Sequence, residues 1–402
     1  MLLFLMIAYT FYIVLKVYIS FAEIDFVKKA LSGSAVVLSP LKFAEAGAYK
    51  IEAQKFSVVS SLFDLLLFFA WLTFGLRMLD AAVSFENEML NAIVFVNAFI
   101  AINYLLNLPF DLYQTFNLDK RYGFSTIDTK TFISDQMKGA VVMLLIGSGL
   151  IWLISAIIAH FENWWLWGFG AIFVVVLLIN VLYPFYMMLF NKFQPLANAE
   201  LKNSIEALLQ KAGLASSGVF TIDASKRDKR LNAFFGGLGK SKRVVLFDTL
   251  IEKLSKNELL AVLGHELGHF KHKDILKNIA LSAVMLFVMF AFFGNLPLSL
   301  FTQLGLEYKA HLLIVSFFLF SPIISFFMMP LMGAISRHNE YAADEYGSEC
   351  ESKEALGSAL MKLASENKSF PLSHPFSVFF YHTHPELVLR LEKLGVDVST
   401  KN

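Results

Sequence analysis

The sequence predicts an all-α multi-pass membrane protein of seven transmembrane helices, with one large folded loop that carries a small β-sheet. Three observations predict it. Of the 402 residues, 56% are hydrophobic and 17% are charged, and the mean hydropathy is +0.59. An ordinary soluble domain is nearer half apolar and a quarter charged. Seven stretches are apolar over the roughly 20 residues that a spanning helix needs. Finally, Lys and Arg fall almost entirely on one side of those stretches.

The seven stretches are about 2–21, 58–79, 90–109, 139–160, 165–190, 276–295 and 310–333. The first is expected to be a retained helix. "ISFAE" (19–23) faintly resembles a leader cleavage site, but a leader opens on a basic stretch, and no Lys or Arg precedes Lys16. Of the 34 Lys plus Arg, only Lys16, Arg77, Lys277 and Lys309 lie outside segments 22–57, 110–138, 191–275 and 334–402. The positive-inside rule puts these segments in the cytoplasm and the N-terminus outside. "NWWLW" (163–167) suits an aromatic belt at the outer interface. The expected organisation is a membrane region over 1–190, a cytosolic region over 191–275, a transmembrane hairpin over 276–333 and a C-terminal cytosolic region over 334–402. A net charge of +1 gives no global attraction for nucleic acid or another acidic partner. A single cysteine, Cys350, excludes an intramolecular disulfide and a Cys-rich zinc module; it reads as a small packed hydrophobe.

The loop 191–275 reads as folded. "NAELKNSIEALLQKAG" (198–213) has helical periodicity and a stop at Gly213. Runs 218–223, 230–235 and 242–248 read as strands of a β-meander, with a turn over "GGLGKS" (236–241). A helix over 255–273 opens on Ser255 and Glu258 in a capping-box pattern.

That helix contains "LGHELGHFKH" (263–272), in which His265, Glu266 and His269 form H-E-x-x-H. Residues four apart share a helix face, so His265 and His269 can aim at one ion. Glu266 is rotated by roughly 100° and can reach a water on that ion without being a ligand. A zinc hydrolase needs this division of labour. A polar helix face near the membrane surface is the plainer alternative. A catalytic zinc takes three protein ligands and leaves one position open. His272 sits on the same face but about 10 Å along the axis from His265, too far for one ion to bridge. The longer three-histidine pattern needs glycine at position 272 and histidine at position 275; the chain has His272 and Ile275. "SRHNEYAADEYG" (336–347) offers Glu340, with Asp344 one turn on, and the hairpin of the last two stretches returns both to the side of the histidines. Glu340 can complete the ligand set, and Asp344 can hold a ligand imidazole by its second nitrogen. A solvated acidic helix face is the alternative for either residue alone.

Taken together, these elements resemble the membrane zinc metalloproteases of the CAAX prenyl protease type I family. Five elements carry the resemblance, in order: "LPFDLYQTFNLDKRYGF" (108–124) with "SDQMKG" (134–139), taken as a cytosolic loop; "LNAFFGGLGKSKRVVLFDTL" (231–250); "HELGH"; "SRHNEYAAD" (336–344); and "HPELVLRL" (384–391). The resemblance implies helices enclosing an intramembrane chamber and one Zn2+ per chain. It implies that the protein removes the tripeptide after a prenylated cysteine. His265, His269 and Glu340 would hold the zinc, Glu266 would be the catalytic acid/base and Asp344 would support a ligand. Asn232, Ala233 and Phe234 would border substrate, and His384 and Arg390 would act on it near the scissile bond. His384 is preferred to His374 and His382 because only it has both Pro385 and Arg390 at the family spacing. The compact chain and a tail without an ER retrieval signal suit a bacterial inner-membrane member; a eukaryotic member would sit in the ER membrane. Two rivals stay open. One is a four-span heat-shock-type membrane protease with the same zinc core. The other is a transporter or scaffold, which intramembrane Asp64 and Lys16 and the helix-kinking Pro184 and Pro322 would suit.

Overall fold

The fold is that of a computed structural model, described over residues 1–214, 218–236 and 243–398. Five long helices open the chain: α1 (Leu2–Leu31), α2 (Pro40–Ala82), α3 (Glu88–Arg121), α4 (Thr129–His160) and α5 (Trp164–Phe190). α6 (Ala199–Lys211) and α7 (Lys256–Lys271) lie in the large loop. α8 (Asp274–Gly294) and α9 (Ala310–Cys350) are the last two spans, followed by α10 (Lys353–Glu366) and α11 (Leu387–Leu394). Among the described residues, seven helices are long and apolar enough to cross a membrane, and they are the seven expected.

Most of them run past their expected ends. α2 starts at Pro40, where a proline in the first turn removes no helix hydrogen bond. The segment 108–139, expected as a loop, is mostly helix. α3 continues through Pro109 and a π turn at Gln114–Leu118, and α4 starts at Thr129, where the Asp128 side chain accepts the Thr131 N–H at 2.6 Å. Near a membrane, neighbouring groups re-satisfy the backbone that a helical proline frees. α9 is 41 residues long, so it carries the chain from the far interface of the seventh span to Glu340 and beyond without a break.

The spans pack unevenly along their length. At the end remote from α7, Phe68, Phe95, Phe293, Phe301 and Phe320 are wholly buried in one aromatic cluster with Tyr9, Trp71 and Phe99. Tyr9 stacks on Phe68 at 3.7 Å, and Phe293 meets Phe317 at 4.7 Å. Nearer α7, the same set of helices leaves Leu105 of α3, Leu145 of α4 and Leu182 of α5 exposed. Exposed apolar side chains of this kind suit spanning helices whose outer faces meet lipid.

The sheet is a correction to the expected meander. Its order is β1 (Phe193–Pro195), β2 (Val219–Ile222), β4 (Arg243–Phe247), β3 (Ala233–Gly236). β4 lies parallel to β2 and antiparallel to β3. Val244, Val245 and Leu246 of β4 are buried on both faces, and a continuous apolar run belongs at the centre of a sheet. β3 is thereby displaced to an edge. The turn expected over 236–241 lies outside the described residues beyond Gly236. β1 was not expected, because three residues ending in Pro195 carry no alternation signal.

Candidate metal centre

The site is built where α7 packs on α9, and small residues let the two backbones touch. A Cβ added to Gly268 would stand 2.8 Å from Ala343 Cα, and one on Gly347 would stand 2.8 Å from the His265 amide nitrogen. Gly264 and Gly268 on α7 thus interlock with Ala343 and Gly347 on α9, small residues four apart on each helix, as at close helix crossings generally. The start of α7 is fixed by the expected capping box between Ser255 and Glu258. Glu258 also accepts from the Ser358 hydroxyl at 2.6 Å and from Lys362 at 2.7 Å, tying α7 to α10.

This packing brings His265, His269 and Glu340 together. His265 Nε2 lies 3.5 Å from Glu340 Oε2, and His269 Nε2 lies 3.3 Å from Glu340 Oε1. One ligand atom from each lies within 4.8 Å of the other two. Glu340 Oε2 is buried without a hydrogen-bond partner, and an orphaned buried carboxylate oxygen requires a compensating charge. Two imidazole nitrogens and one carboxylate oxygen are the donor set of a catalytic zinc site. The residues present therefore fit a metal. His272 caps the C-terminal end of α7 and is not in the cluster.

The outward nitrogens have their own partners. His265 Nδ1 lies 2.8 Å from Asp344 Oδ1, in an approach too oblique for a well-aligned hydrogen bond. His269 Nδ1 lies 2.9 Å from Asp274 Oδ2. Asp274 is a residue the sequence reading missed. It opens α8 just after Lys273, whose φ of 57° turns the chain back onto α7. Asp274 is held in turn by Lys277 at 2.7 Å. A carboxylate behind each imidazole fixes the tautomer that leaves Nε2 free to ligate.

Arg390 lies behind Asp344. Its Nε and Nη2 donate to the two Asp344 carboxylate oxygens at 2.8 and 2.7 Å, and Nη2 is 3.5 Å from Glu340 Oε2. Asp344 thus stands between the Arg390 guanidinium and His265. His384 Nε2 is 3.3 Å from Glu340 Oε1, and its side chain is 60% exposed. That exposure is into a cavity of about 580 Å³, which Arg390 also lines. Asn232, Ala233 and Phe234 lie on or beside edge strand β3, with Asn232 exposed, Ala233 buried and Phe234 edge-on to Tyr183 of α5. The predicted residues thus fall into two groups, the metal cluster with His384 and Arg390, and the β3 edge.

The electrostatics follow from burial. Burial pushes the Glu266 carboxyl above the usual carboxylate range, against the pull of His265 and His269. His384 opens into the cavity, yet desolvation by the surrounding protein, with the Arg390 charge beside it, keeps it below the ordinary imidazole value. On His269 burial works downward, but hydrogen bonds to Glu340 and Asp274 outweigh it and raise the metal-free imidazole to about 9.

Comparison with known proteins gives the family. Residues 195–396 match the model of peptidase family M48, and residues 29–192 match that of the CAAX prenyl protease N-terminal region, described as five membrane helices. The five-helix match disfavours a four-span architecture. The chain is 31% identical to CAAX prenyl protease 1 of Saccharomyces cerevisiae over 386 residues, covering 88% of this chain and 85% of that one. It is 31% identical to the CAAX prenyl protease 1 homolog of Homo sapiens, covering 88% of this chain and 86% of that one. The crystal structure of S. mikatae Ste24p superposes with a TM-score of 0.90 over 98% of both chains, at 27% identity. The chain belongs to peptidase family M48, in its CAAX prenyl protease branch, and is a multi-pass membrane metallopeptidase.

Proposed function

We propose that the protein is a zinc endopeptidase that cuts peptides carrying a prenylated C-terminal CAAX sequence, releasing the last three residues. One observation carries the reading: two imidazole nitrogens and a carboxylate within 4.8 Å of one another, with Glu266 on the same helix as both histidines. His265, His269 and Glu340 would hold one Zn2+. When bound, zinc supplies a Lewis acid that activates water and polarises a carbonyl. The rest is done by the chain. Glu266, raised by burial, takes a proton from the attacking water and returns it to the leaving amine. Asp344 and Asp274 orient the two imidazoles, and Arg390 holds Asp344 in place. His384, beside Glu340 and open to the cavity, offsets charge developing on the scissile carbonyl. The free edge of β3 binds the peptide main chain at Asn232, Ala233 and Phe234, as strands are added to open sheets. The distribution of Lys and Arg supports an N-terminus outside and a site on the cytoplasmic side, of a bacterial inner membrane or, in a eukaryote, of the ER.

The test uses purified full-length protein and a farnesylated CAAX peptide. Wild type is expected to release the tripeptide and to stop when chelated. Glu266→Gln is expected to abolish release while zinc stays bound. Cleavage by Glu266→Gln at the wild-type rate would sink the mechanism.

A further inference from the structure

We propose that the cavity beside the metal cluster binds the free C-terminal carboxylate of the substrate, with Lys50 and Lys368 as its cationic partners. This rests on the reading of the protein as a C-terminal CAAX peptidase.

The cavity, of about 580 Å³, is lined by His384 and Arg390 on the side of Glu340 and also by Lys50 of α2 and Lys368 just past α10. The direction of a bound peptide leads into it. Antiparallel pairing, the commoner kind, would run a peptide opposite to β3, so its C-terminal end would pass Asn232 and then Leu231. The Leu231 main chain is held on both sides by Asn367, whose Oδ1 accepts the Leu231 N–H at 2.7 Å and whose Nδ2 donates to the Leu231 carbonyl at 3.2 Å. Asn367 is a wall of the same cavity. Three extended residues reach about 10 Å. A tripeptide beyond the cut therefore ends among the cavity's charged groups.

Those groups favour an anion. Glu386 is the acidic lining residue, and it accepts the Ser373 N–H at 2.8 Å. Arg390 is committed to Asp344. Each lysine ammonium has three donors, and its one acidic partner takes up only part of them. Lys50 Nζ is 3.4 Å from Glu23 Oε1, and Lys368 Nζ is 3.3 Å from Glu45 Oε2. Elsewhere Lys277 and Lys362 close on their acids at 2.7 Å, near the usual spacing of a charge-assisted bond. Stretched pairs leave ammonium donors for an incoming carboxylate. Lys368 also sits at φ 45°, a left-handed position that glycine fills without strain.

The experiment compares two farnesylated CAAX peptides that differ only in ending as a free acid or as an amide, cut by the full-length protein and read by mass spectrometry. The amide is expected to lose about tenfold or more in kcat/KM at an unchanged cut position, as for a charged hydrogen-bond partner removed. The double variant Lys50→Met, Lys368→Met is expected to erase the difference while keeping wild-type zinc content. Equal cleavage of acid and amide by wild type, after the prenylated cysteine, overturns the carboxylate site and leaves the proposed function intact. Failure to cut either peptide there, with Glu266-dependent cutting of another peptide, overturns the CAAX reading and the site with it. The wild-type comparison decides even if the variant does not fold.

Discussion

The two ends of the spanning helices are held together by opposite means. The end remote from the site is closed by large rings, with Phe68, Phe95, Phe293 and Phe320 wholly buried among other aromatics. The site end is closed by the absence of side chains, where Gly264, Gly268 and Gly347 let α7 and α9 touch. Aromatic packing tolerates small shifts, since dispersion is spread over many weak contacts. A metal cluster does not, because its ligand atoms must meet within tenths of an ångström. The difference teaches that position is fixed by backbone contact where chemistry needs it and by bulk where only closure is needed.

Breaking the backbone contact should have the largest effect. Gly268→Leu would drive a side chain into Ala343 Cα and carbonyl oxygen, 2.8 and 3.1 Å from the first added atom. Neither can move aside as a side chain could. Loss of bound zinc and of cleavage is expected, read by elemental analysis and peptide assay; a variant with full zinc and full activity would show that the crossing has slack. Next comes Asp344→Ala, which strips partners from Arg390 and His265 together. Arg390 then keeps only Glu340, at 3.5 Å; stripping the main partner from a buried cation costs up to about 3–5 kcal/mol, so a marked drop in melting temperature is expected alongside weaker zinc binding. Asp274→Asn should be milder, because it keeps an acceptor for His269. Zinc affinity about 10–100-fold lower is expected from competition with a chelator; an unchanged affinity would remove Asp274 from the support of the site.

pH should act directly on the site end. The metal-free His269 imidazole is raised to about 9 by Glu340 and Asp274, above its ordinary value of about 6.5. Its stabilising effect on the metal-free protein is therefore fully present below about 6.5 and is lost as pH rises through about 9. Zinc must displace that proton, so its affinity should rise with pH over the same interval. Melting curves with and without chelator would show it; a pH-independent zinc affinity would contradict it. The smallest effect belongs to the membrane face. A Cβ on Gly170 of α5 meets nothing within 4 Å, so Gly170→Ala should leave melting temperature and activity close to wild type. A large loss there would mean that α5 is packed as tightly as α7.

The sequence made much of this legible. Hydropathy revealed all seven spans because twenty apolar residues are a strong signal. It set their ends poorly, since 40–57 and 110–121 continue as polar helix beyond the bilayer. Spacing offered His265, Glu266 and His269 as candidates, and the hairpin offered Glu340 and Asp344, but polar helix faces fitted as well until the five elements were taken together; the structure brings His265, His269 and Glu340 to one place. Asp274 was not, because its approach to His269 depends on the left-handed turn at Lys273, which propensity does not announce. The residues of the close crossing stand in the sequence, as Gly264 and Gly268 inside "LGHELGH" and Ala343 and Gly347 inside "AADEYG", but small residues four apart do not by themselves name the helix they pack against. Strand order was hidden because β3 and β4 read alike until burial on both faces of β4 puts it at the centre.

Glu340 joins the two halves of the site across a membrane hairpin, some 70 residues from His269 in the chain. Elemental analysis of purified wild type and Glu340→Ala tests that union most directly. One zinc per chain in wild type and close to none in the variant is the predicted result. Equal zinc in both would contradict it.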